Sequence, residues 1–82
     1  MLKAVAIKIE GIYVPAGLRS QLNPQRVESV AEEIMGETEE QPIQVRLGKD
    51  RYVLIKGVHR LEARRALGDE TIQAFIVAAP QH

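Results

Sequence analysis

The chain has 82 residues, eleven Lys plus Arg against eleven Asp plus Glu, and no cysteine. That leaves room for one domain, 1–82, and excludes a two-domain enzyme, a disulfide scaffold, a thiolate nucleophile and a Cys-ligated zinc. The longest apolar run, Ala74 to Ala79, is six residues and the N-terminus has no signal-like segment, so the chain reads as cytoplasmic, with no membrane partner.

In chain order, Val5 to Ile9 alternates with the period of a half-buried strand and resumes at Ile12-Tyr13-Val14, with Gly11 placed where a bulge or turn fits. Pro15 and Gly17 end it, and a polar connection follows. Asn23-Pro24 is a helix start, because the Asn side chain can accept an orphan N–H and Pro loses nothing at the first helical position. Val27, Val30, Ala31 and Ile34 then recur at helical spacing, which predicts an amphipathic helix from about Pro24 to Met35 with Glu28, Glu32 and Glu33 outward and Gly36 as its cap. Glu37-Thr38-Glu39-Glu40 reads as a solvated loop. Ile43 to Leu47 and Arg51 to Lys56 predict a hairpin around Gly48-Lys49-Asp50. A helix from Gly57 to Gly68 and a last strand at Thr71 to Val77 complete a small α+β (α/β) domain of order β-α-β-β-α-β.

The net charge of zero hides a segregation. Residues 1–26 sum to +3, 27–45 to −6, 46–65 to +5 and 66–82 to −2. The positive block holds the segment with the most chemistry, Lys56-Gly57-Val58-His59-Arg60 with Arg64 one helical turn later. A strand that ends at glycine and turns at once into a helix aims free N–H groups beyond the strand end, and guanidinium groups beside them suit a phosphate. The bland alternative is a solvated basic face, with Glu62 and Arg65 forming weak surface pairs and Arg65 lying away from Arg60 and Arg64. His59 is the candidate catalytic residue, against a capping or surface role.

Other constellations are poor. His59 and His82 make no metal site, the glutamates lack His or Asp at ligand spacing, Ser20 and Ser29 have no adjacent base, and no Walker or Rossmann glycine string is present. The acidic stretch 28–40 is a solvated face or, alternatively, a docking segment for a basic protein partner.

At the glycine turn the sequence resembles the ParB/sulfiredoxin superfamily, and the likeness covers most of the chain. It is carried by Val14-Pro15, the helix Asn23 to Ile34, the run Gln41-Pro42-Ile43-Gln44-Val45, the signature Tyr52 to Ala63, and Leu67-Gly68 before Ile72 to Val77. The resemblance implies a mixed sheet with two main helices and a nucleotide or nucleic-acid phosphate site at the glycine turn, where Gly57, His59 and Arg60 match the motif. Together with Lys56, Val58 and Arg64 these are the expected phosphate-site residues, with Mg²⁺ accompanying a nucleoside triphosphate. It also implies, as an alternative, a ParB-like metal-assisted nuclease, for which only His59, Glu62 or a helix glutamate could serve. Sulfiredoxins carry Gly-Cys-His-Arg at this turn and reduce a sulfinic acid with ATP. Val58 stands where their cysteine does, so thiol-based reduction is excluded. Chromosome-partitioning ParB proteins continue into further helices and a DNA-reading domain. This chain stops five residues after Val77, so it is expected to act as a stand-alone module, with a separate partner, or as part of something longer.

Overall fold

The structure, a computed structural model, describes residues 3–77. The first strand-like stretch divides in two. Strand β1 (Val5–Lys8) ends in a 3-10 turn at Ile9–Gly11, and β2 (Ile12–Tyr13) follows it. Two helices come next, α1 (Ala16–Arg19) and α2 (Pro24–Gly36), then the hairpin β3 (Ile43–Leu47) and β4 (Tyr52–Lys56), helix α3 (Val58–Ala66) and strand β5 (Thr71–Val77).

The five strands form one mixed sheet in the order β1-β5-β3-β4-β2. β1 is antiparallel to β5 and β3 to β4, while β3 runs parallel to β5 and β2 to β4. β1 and β2 therefore occupy opposite edges although only Ile9–Gly11 separates them. Three residues reach about 10 Å at most, so the sheet must curl until its edges approach. The alternating residues turned inward, among them Ile7, Ile43, Val45, Leu54, Ile72 and Ala74, form the core with Val58 and Leu61 of α3. Val45, Leu61 and Ala74 have no solvent exposure. Helix α2 rests on the outside of α3, where Val30 and Ile34 bury Ala63.

Local signals account for most helix boundaries. Asn23 Oδ1 accepts from the Gln25 N–H at 3.0 Å and Pro24 opens α2, as expected of that dipeptide. The helix ends differently from expectation: Gly36 stays within its last turn, and the chain leaves at Glu37, which is extended. The polar connection also contains a helix, α1, where the Leu18 and Arg19 N–H groups both donate to the Pro15 carbonyl. Four residues carry no periodicity, and Gly17 reads as a breaker. At the end of α3 the Gly68 N–H donates to Arg65 O and the Asp69 N–H to Arg64 O, a Schellman closure that requires Gly68 to be left-handed.

Candidate functional site

The site is built where β4 meets α3. Val45 pairs with Leu54 but Gln44 pairs with Lys56, so Ile55 is an extra residue that bulges the strand just before the turn. Gly57 follows with φ 108° and caps α3 at its N-terminus. A Cβ there would lie 2.6 Å from Ile43 Cγ2, so the glycine is required by the sheet beneath it as well as by its backbone angle. The first bond inside α3 runs from the Leu61 N–H to Gly57 O at 2.9 Å. The N–H groups of Val58, His59 and Arg60 precede it and have no carbonyl within the helix to meet.

A groove of about 510 Å³ opens over this turn, lined by Lys56, Gly57, Val58, His59 and Arg60. It is also lined by Arg26, Val30 and Glu33 of α2, by Leu18 of α1 and by Gln21 just after α1. His59 holds the walls together, since its Nε2 accepts the Asn23 N–H at 3.1 Å. That contact sets the start of α2 beside the start of α3 and occupies the lone pair a general base would use. A second recess of about 250 Å³, lined by Gln41 to Gln44, lies across Lys56, Gly57 and Arg60 from the first.

Five of the six expected phosphate-site residues therefore line one groove, and Arg64 does not. Its Nη1 donates to Asp69 Oδ2 at 3.1 Å and its Nη2 to Glu37 Oε1 at 3.0 Å, with Glu40 at 3.5 Å. Arg64 sits inside this carboxylate cage with a 15% exposed side chain, although helical spacing puts it on Arg60's face. Arg60 takes part too, its Nη1 donating to both oxygens of Glu37 at 3.1 and 3.2 Å. Glu37 is thus no solvated loop residue, because two guanidinium groups draw it against α3. Glu28, Glu32 and Glu33 do stay exposed, and Arg65 points away to pair weakly with Glu62 at 3.6 Å.

Two participants escaped sequence reasoning. Arg26 stands thirty positions before Lys56, and only the α2–α3 contact brings it to the groove. Glu37 is masked by the acidic run around it. Among the described residues no group of three or more His, Asp or Glu is placed to hold a metal ion, so the nuclease alternative gains no site. No described helix is long and apolar enough to cross a membrane. His82 lies outside the described residues.

The fold has solved counterparts. Sulfiredoxin from Arabidopsis thaliana superposes with a TM-score of 0.79 at 26% identity, over 94% of this chain and 86% of that one. A free serine kinase variant in complex with AMP gives 0.79 at 23% identity, over 93% of this chain and 31% of the kinase. C-terminally truncated ParB from Caulobacter crescentus, complexed with CTP-γ-S, gives 0.78 at 20% identity, over 96% of this chain and 46% of the other. The chain thus spans about a third of the kinase and just under half of that ParB. No curated protein matches it. The ParB N-terminal domain model, in contrast, matches residues 3–82, and the chain belongs to the ParB N-terminal domain family.

Proposed function

We propose that this domain binds the phosphate of a nucleotide in the groove over the glycine turn. The observation that carries the reading is the groove itself, where Arg26, Lys56 and Arg60 surround the open N-terminus of the nine-residue helix α3. Arg26 and Lys56 have no carboxylate within 4 Å among the described residues, so their charge is available to an anion. Gly57 lets a phosphate oxygen approach the backbone, and the N–H groups of Val58, His59 and Arg60 supply donors aligned with the helix dipole. His59 acts here as a positioning residue through Asn23. Arg64 stays outside the groove, bound by Glu37, Glu40 and Asp69.

Family membership supports the reading, as do two structural neighbours solved with AMP and CTP-γ-S. With a nucleoside triphosphate, Mg²⁺ would be held mainly by phosphate oxygens, and Glu33 is the carboxylate lining the groove. Isothermal titration with CTP and ATP in the presence of Mg²⁺ tests the proposal. Heat with at least one of them, lost in Arg60→Ala, supports it; no heat with either removes it.

A second reading, binding of a nucleic-acid backbone, is favoured by the hairpin. Arg46, Lys49 and Arg51 have no carboxylate within 4 Å among the described residues, and Arg51 lies 3.8 Å over the Tyr13 ring. Short DNA in the same titration separates the two readings, because backbone binding weakens steeply with salt.

A further inference from the structure

Arg60 lines both the groove and the recess beside Gly57, and it already holds an anion. Both oxygens of Glu37 accept from its Nη1, and Oε1 accepts from Arg64 Nη2 as well. A carboxylate shared between two guanidinium groups is bound much as a ligand anion would be. The Glu37 side chain is 18% exposed and that of Arg60 17%, so water screens this contact less than a surface pair. Glu37 is also the first residue beyond α2. It opens the linker to β3, in which Thr38, Glu39, Glu40 and Gln41 are all exposed.

We propose that Glu37 is an autoinhibitory carboxylate that a bound phosphate displaces from Arg60, so that filling the groove detaches the start of the 37–41 linker from α3. The inference rests on the phosphate-binding reading above. A phosphate drawn to the Arg60 guanidinium meets the Glu37 carboxylate at close range, and like charges so placed in a part-buried setting repel. Its departure leaves no bare cation behind, because Arg64 keeps Asp69 at 3.1 Å and Glu40 at 3.5 Å. Backbone restraint on Glu37 is slight, a single N–H bond to Ile34 O at 3.3 Å. The site and the linker are thus coupled through one side chain.

The test compares wild type, Glu37→Gln and Glu40→Gln by calorimetric titration with CTP and ATP. Gln keeps the length and one acceptor oxygen but removes the competing charge. Glu37→Gln is expected to bind the preferred nucleotide about tenfold more tightly, while Glu40→Gln, whose side chain meets Arg64 and the Gln73 N–H but not Arg60, stays close to wild type. Equal or weaker binding by Glu37→Gln, with wild type still binding, overturns the latch and leaves the phosphate-binding reading standing. No heat with any of the three proteins overturns both. In wild type, saturating nucleotide should move the Glu37 carboxylate ¹³C resonance toward that of an exposed glutamate such as Glu28. A Glu37 signal that stays in place while the Gly57 to Arg60 amides shift overturns the latch without recourse to any variant.

Discussion

Helix α3 begins and ends on a left-handed glycine, φ 108° at Gly57 and 86° at Gly68, but the surroundings of the two differ. A Cβ on Gly57 would collide with Ile43, whereas one on Gly68 would meet nothing within 4 Å. The arginines one turn apart between them diverge in the same way. Both share Glu37, but Arg60 pairs with that one carboxylate and lines both openings at the N-terminal end, whereas Arg64 is enclosed by Glu40 and Asp69 as well, nearer the C-terminal end. One end of the helix is pressed onto the sheet and left open to a ligand, while the other is closed by its own chain. Residue type and spacing do not separate the two ends; what lies opposite each residue does.

That contrast can be broken at four points. Gly57→Ala combines a disfavoured backbone angle with overpacking against Ile43 and should cost about 2–4 kcal/mol of stability, measured by urea denaturation. A loss no larger than that of Gly68→Ala would remove the distinction between the glycines. Arg60→Ala should weaken nucleotide binding by about tenfold or more with a smaller change in the unfolding midpoint than Arg64→Ala, because Glu37 keeps Arg64. Arg64→Ala should do the reverse, costing about 1–2 kcal/mol as its part-buried carboxylates lose a partner and leaving nucleotide affinity near wild type. If calorimetry ranks the two arginines the other way round, the assignment of ends is wrong. The smallest change belongs to Gly68→Ala, about 1 kcal/mol from backbone angle alone, read from the same denaturation curves.

Much of this was legible in the residues, and the rest was hidden for identifiable reasons. The alternation of Ile43 to Leu47 and the Asn23-Pro24 start produced a strand and a helix where expected, because one buried face and one cap are local features. The glycine turn was legible for the same reason. The split of the first strand was not, since nothing local says that Val5 to Lys8 pairs with β5 while Ile12 and Tyr13 pair with β4 across the sheet. Arg26 and Glu37 reach the site only through the contact of α2 with α3. The acidic and basic blocks looked like two separate faces, yet in the fold part of one neutralises part of the other. Glu37 and Glu40 answer Arg60 and Arg64, which leaves Arg46, Lys49 and Arg51 without ion-pair partners among the described residues.

A nucleotide bound as proposed would seat its phosphate at the open end of α3. An amide NMR titration of the wild-type domain with CTP and with ATP, each with Mg²⁺, tests it directly. The largest shifts are expected on Lys56 to Arg60 and on Arg26 across the groove, with small ones at Gly68 and Asp69. Shifts confined to the hairpin around Lys49, or none at saturating nucleotide, would contradict that placement.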